Sequence, residues 1–210
     1  MVTHLSNVKV TSLLDTVWEG LSSNKLTCEP KINNTIYLWR INGRNITEDG
    51  KRKLSDDNRI LTLLNIVRND TGPYECEVHN PVTISRSFPF YLEISYGPDD
   101  PIISPSNTHF QSRTNLSLSC EADSIPPARY SWFVNGVLQA SSQELFIPDI
   151  TTNNSGSYTC FAHNSVTGLN RTTVKIITVL ESGAHRQDEA VPEQQHPQHK
   201  HFLEGGFWGI

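Results

Sequence analysis

Asn69-Asp70-Thr71-Gly72-Pro73-Tyr74-Glu75-Cys76 and Asn153-Asn154-Ser155-Gly156-Ser157-Tyr158-Thr159-Cys160 are two copies of one pattern. Each has a polar turn, a glycine, then a tyrosine two residues before a cysteine, and each runs on to a His-Asn pair, His79-Asn80 and His163-Asn164. Upstream of each stands another cysteine, Cys28 and Cys120. A tryptophan lies between, within Tyr37-Leu38-Trp39-Arg40-Ile41-Asn42-Gly43 and Tyr130-Ser131-Trp132-Phe133-Val134-Asn135-Gly136. The cysteines therefore fall into two pairs, 48 and 40 residues apart, and one unit is written twice. They form no CxxC or Cys/His ligand cluster, so no metal is expected.

The physics of that unit points to an antiparallel β-sandwich. Cysteines on facing sheets bridge the core, a tryptophan packs on the sulfurs, and the tyrosine hydroxyl turns back to backbone at the sheet corner. Gly72 and Gly156 supply the tight turn into that strand. Alternation agrees: in Leu116-Ser117-Leu118-Ser119-Cys120 the apolar residues share the cysteine's face. The expected fold is all-β, two tandem immunoglobulin-like sandwiches of constant or I type, each with one inter-sheet disulfide. Domain 1 spans 1–96, domain 2 spans 97–180, and 181–210 is a disordered Gln/His/Pro-rich tail. Strands are expected near 24–29, 36–41, 59–64, 73–79 and 86–95, then near 115–121, 129–134, 143–147, 156–163 and 170–179. Tyr96-Gly97-Pro98-Asp99-Asp100-Pro101 is too short and too proline-rich for a floppy tether, which predicts a semi-rigid rod.

Composition narrows the function. The net charge is −5, without the clustered Lys and Arg that phosphates require, so nucleic acid is an unsuitable partner. No apolar run approaches the ~18 residues of a membrane helix. No GxSxG, phosphate loop or HExxH is present, so no catalytic residues and no cofactor are assigned. Tail histidines His185, His196, His199 and His201 lack fixed ligand geometry. The opening Met1-Val2-Thr3-His4-Leu5-Ser6 lacks the basic-then-apolar order of a signal peptide, which predicts a piece of a longer product or a different start.

N-glycosylation sequons occur at Asn33, Asn45, Asn69, Asn115, Asn153 and Asn170, all on expected loops or outward strand positions. Glycans and disulfides both require the secretory route, so the chain is expected outside the cell, at a surface or secreted.

Several stretches resemble the carcinoembryonic-antigen-related cell adhesion molecules, with the pregnancy-specific glycoproteins as close relatives. They are Leu26-Thr27-Cys28-Glu29-Pro30, the segment Arg68 to Cys76, Tyr96-Gly97-Pro98-Asp99, Tyr130 to Gly136, Glu144-Leu145-Phe146-Ile147-Pro148 and Asn164 to Thr173. The resemblance runs from about residue 24 to 179. It implies cell-cell adhesion and recognition through other immunoglobulin-superfamily surface proteins, a second copy included. A soluble ligand or decoy that modulates receptor signalling is the alternative. The family's cysteine-poor variable-type domain and its membrane or lipid anchor match no segment here, so the two units correspond to its constant-type spacers. The segment from Val8 to Gly20 departs from the usual first strand.

Outward positions are the candidate contacts. With Trp39 and Cys76 inward, Arg40 and Glu77 point out and suit a surface ion pair. The matching positions in domain 2 are Phe133 and Phe161, two aromatics on one outer face and the candidate partner contact. Asp70 is expected to pair with Lys51 or Arg52.

Overall fold

A computed structural model describes Leu5 and residues 7–183. In chain order the first unit contains β1 (Lys9–Ser12), β2 (Val17–Trp18), β3 (Ser23–Glu29), β4 (Ile36–Ile41), β5 (Arg44–Asn45), β6 (Arg52–Leu54), β7 (Ile60–Leu64), β8 (Tyr74–His79), β9 (Ile84–Arg86) and β10 (Ile94–Ser95). The second contains β11 (Ile102–Ser104), β12 (His109–Gln111), β13 (Leu116–Glu121), β14 (Arg129–Val134), β15 (Val137–Ala140), β16 (Glu144–Ile147), a helical turn at Thr152–Asn154, β17 (Gly156–His163) and β18 (Asn170–Leu180).

Each unit is two facing sheets. The first packs β1-β3-β7-β6 on β5-β4-β8-β9, with β2 and β10 pairing parallel at the side. The second packs β11-β13-β16 on β12-β18-β17-β14-β15. The residues facing inward make two separate cores. One gathers Leu26, Cys28, Trp39, Leu61, Leu63, Tyr74, Cys76 and Val78. The other gathers Leu116, Leu118, Cys120, Trp132, Leu145, Tyr158, Cys160 and Ile177. Disulfides Cys28–Cys76 and Cys120–Cys160 cross from sheet to sheet through them. The fold is two tandem immunoglobulin-like sandwiches.

The repeated residues do the same work twice. Tyr74 and Tyr158 each donate their hydroxyl at 2.6 Å to a carbonyl four residues upstream, of Asp70 and Asn154. Trp39 and Trp132 donate their indole N–H to the carbonyls of Asn58 and Gln143. Both indoles are buried, so these bonds remove the desolvation penalty of an unpaired donor.

The structure differs from the expected strands at the edges. The segment from Val8 to Gly20 does build edge strands: β1 pairs with β3, and β2 pairs with β10. β5, β6, β11, β12 and β15 are short additions. The expected strand over 86–95 is interrupted between β9 and β10. Ser87 turns inward and accepts the Cys76 N–H, and Pro89 has no N–H to give the ladder. One extra residue then bulges before the Tyr74–Phe90 bridge, leaving Phe88 90% exposed. Among the described residues no helix is long and apolar enough to cross a membrane. The tail residues beyond 183, with their four histidines and the closing Phe202 to Ile210, lie outside the described residues.

Candidate recognition surface

The outer face of domain 2 is built by register. Phe133 on β14 lies opposite Thr159 on β17 and Leu138 on β15, and Thr159 lies opposite Val174 on β18. A cross-strand row Leu138–Phe133–Thr159–Val174 therefore runs over four strands. The adjoining row is Ser131–Phe161–Thr172, which makes Phe133 and Phe161 diagonal neighbours on one face. Both are half-buried. Leu138, Val174 and, one row on, Ile176 are 54%, 55% and 61% exposed. The opposite sheet also shows Phe146 and Ile102, but their cross-strand neighbours are Ser117 and Glu121, so no apolar row forms there.

Domain 1 carries charge at the equivalent places. Arg40 Nη2 stands 3.4 Å from Glu77 Oε2, on the diagonal that Phe133 and Phe161 occupy in domain 2. Glu77 differs from expectation in being buried, at 6% exposure, because three side chains close over it. Arg86, directly opposite on β9, and His79 both bond its carboxylate, and Arg40 completes the cover. The Arg86 and His79 hydrogen bonds hold the Glu77 carboxyl below the usual carboxylate range, with the guanidiniums adding attraction. Of the two expected partners for Asp70, Lys51 takes the place, at 2.7 Å, while Arg52 turns to Asp49. Asp70 also accepts the Val67 N–H at 2.8 Å, and Asn154 accepts the Thr151 N–H in the same way.

All six sequon asparagines, Asn33, Asn45, Asn69, Asn115, Asn153 and Asn170, are exposed. Asn170 alone sits on the face of Phe133 and Phe161, in the row Arg129–His163–Asn170 next to that of Phe161. Among the described residues, no three His, Cys, Asp or Glu side chains are placed to hold a metal ion.

Between the domains lies a joint that pattern reading did not reveal. Arg68, from the turn before β8, bonds Glu19 at 2.7 Å and both oxygens of Asp99 at 2.9 Å, and lies on the Tyr96 ring. Tyr96 exchanges backbone hydrogen bonds with Ile125 of domain 2, and its hydroxyl donates to Asp123. Buried Asn164, the second half of the repeated His-Asn pair, donates to Tyr96 O and Ser124 Oγ and accepts the Val166 N–H. Asn80 uses its Oδ1 similarly on Val82 and Thr83. Gly97 has φ 78° and lies so close to domain 2 that an added Cβ would stand 2.4 Å from Asp123 O. The linker is thus stitched into domain 2 by these bonds. The repeated His-Asn pair was a signal for the turns, but nothing local marks Arg68.

The immunoglobulin domain family matches residues 100–179. The full three-domain ectodomain of mouse nectin-like molecule 4 superposes with TM-score 0.56 at 18% identity, over 85% of this chain and 65% of that one. The amphioxus IgVJ-C2 molecule gives 0.52 at 21%, over 78% and 99%. The titin I-band fragment I67–I69 gives 0.51 at 19%, over 82% and 66%. At such identities the likenesses speak for fold. This chain therefore has the architecture of tandem immunoglobulin-like domains, and its residues 100–179 match the immunoglobulin domain family.

Proposed function

We propose that the chain is part of a cell-surface recognition glycoprotein akin to the carcinoembryonic-antigen-related adhesion molecules. Units 1–96 and 97–180 act as a stiff spacer, and the outer face of domain 2 is a protein contact surface, open to a second copy or another immunoglobulin-superfamily protein. The observation that carries this reading is the row Leu138–Phe133–Thr159–Val174 with Phe161 beside it. Domain 1 covers the same positions with charge. Half-buried aromatics grouped with exposed aliphatics are the composition of interface cores. The specific motifs between residues 24 and 179 and the six exposed sequons support an extracellular setting. The stitched linker supports the spacer role.

The test is sedimentation velocity of the mammalian-expressed chain, before and after enzymatic glycan removal, beside the double variant Phe133→Ser, Phe161→Ser. After glycan removal the wild-type chain is expected to form a concentration-dependent heavier species that the variant lacks. Equal sedimentation of the two in both states would sink the contact reading.

A further inference from the structure

The residues around Phe161 say what first covers this face. Asn170 opens the sequon Asn170-Arg171-Thr172, and both its ends belong to the surface in question: Thr172 lies opposite Phe161, and Asn170 lies opposite His163 in the adjoining row. From Asn170 to the row of Phe133 is four residues along β18, about 13 Å at a strand's rise. The Asn170 side chain is exposed, and its Oδ1 is held by His163 Nδ1. That bond leaves the Nδ2 nitrogen, the atom that takes the sugar, free, and limits how the amide swings. None of the other sequons lies on this face. Asn115, for instance, precedes β13 on the opposite sheet, and its Oδ1 accepts the Asp149 N–H.

We propose that the N-linked glycan of Asn170 lies over Phe161 and Phe133 and gates this surface, so that the face is available for protein contact only in molecules unmodified at Asn170. The proposal rests on the contact reading above for its functional consequence, but not for the cover itself. The chemistry suits both partners. The apolar C–H faces of sugar rings pack on aromatic rings, and the Thr159, Thr172 and Ser131 hydroxyls among them give sugar hydroxyls hydrogen-bond partners. A glycan of this kind resolves a conflict in the sequence. A row of exposed aliphatics beside half-buried aromatics is an aggregation hazard on a solitary domain, and a covalent hydrophilic cover removes it in every molecule modified at Asn170.

The experiment uses the full chain secreted from mammalian cells behind an added leader, with site occupancy read by glycopeptide mass spectrometry. The probe for exposed apolar surface is anilinonaphthalene sulfonate fluorescence. Wild type, Asn170→Gln, Asn115→Gln, and Asn170→Gln combined with Phe133→Ser and Phe161→Ser are compared. Asn170→Gln is expected to raise dye fluorescence several-fold. Asn115→Gln should stay at the wild-type level, and the triple variant should return to it. An unmodified Asn170 in the secreted wild type, or equal dye binding by wild type and Asn170→Gln, overturns the cover. Sedimentation of the same samples separates the two ideas. A dye increase without a heavier species keeps the cover and removes the contact reading. A Phe133- and Phe161-dependent heavier species formed by the fully occupied wild type keeps the contact and overturns the gate.

Discussion

The guanidinium carbon of Arg68 stands 4.0 Å from the centre of the Tyr96 ring. A domain 1 cation thus stands over the ring of the residue that begins the linker, while the same guanidinium holds Glu19 and Asp99. Stacking on an aromatic face while pairing two carboxylates is a use of arginine that lysine cannot copy. Arg68→Lys and Arg68→Ala are therefore both expected to loosen the angle between the domains. Small-angle scattering checks this through a broadened distance distribution, with each domain's own melting midpoint little changed because the group is partly exposed.

The same joint carries a pH dependence. Hydrogen bonds from Arg68 hold the carboxyls of Asp99 and Glu19 below the usual range. A carboxylate with a depressed folded pKa contributes its full share above its unfolded value of about 4 and loses it as pH falls through the folded value. Scattering curves are expected to coincide from neutral pH down to about 5, then broaden as the pH falls below the unfolded carboxylate value of about 4. In Arg68→Ala the acid-dependent change should vanish, since the curve is already broad.

Gly97 gives the steric counterpart. With φ 78° and Asp123 O in the path of any Cβ, Gly97→Ala strains the backbone and pushes the Asp123 carbonyl away from the Asp99 N–H that it accepts at 2.9 Å. The expected result is a loosened joint by scattering and a domain 2 destabilised by about 1–3 kcal/mol in urea titration.

In domain 1 the buried Glu77 is the sensitive point. Glu77→Ala leaves Arg40, Arg86 and His79 facing one another without an anion. A loss of about 1–3 kcal/mol is expected, below the range for a fully buried pair because both arginines reach water. Glu77→Gln keeps an acceptor and should lose less. The depressed carboxyl again sets the sign: the difference between wild type and Glu77→Gln should shrink as pH falls below about 4.

Tyr74→Phe and Tyr158→Phe each delete one short hydroxyl bond from a buried ring. Each is expected to reduce stability by about 1 kcal/mol, confined to its own domain. Urea unfolding of the two variants, followed by hydrogen exchange of β8 and β17, checks the confinement.

Much of this molecule was readable because its rules are local. The Tyr-x-Cys pattern and the alternation in Leu116-Ser117-Leu118-Ser119-Cys120 concern neighbours along a strand, the repeat of the whole Cys-Trp-Tyr-Cys set made the unit recognisable, and β4, β14 and β17 fall at the expected residues. Edge strands were not readable. Arg52-Lys53-Leu54 has no buried residue and Lys9-Val10-Thr11-Ser12 has only Val10, so their pattern is weak and pairing defines them. The break after Arg86 hinges on one serine side chain replacing a carbonyl. Outward placement of Phe133 and Phe161 followed from period two, yet Val174 and Ile176 were hidden in a near-continuous run to Val179. Arg68 was invisible because its carboxylate partners lie 49 and 31 residues away in the chain.

The disulfides close within each unit and never between them. During synthesis the first pair can therefore oxidise as soon as Cys76 has emerged, with no later cysteine as competitor. Arg68 emerges at the same time, but Asp99 and the Asp123 loop come later. The joint is then the last part to set, after its first half has already matured. A stall in the second unit would leave a finished, oxidised first domain whose Arg68 is held by Glu19 alone, half of its clasp still open.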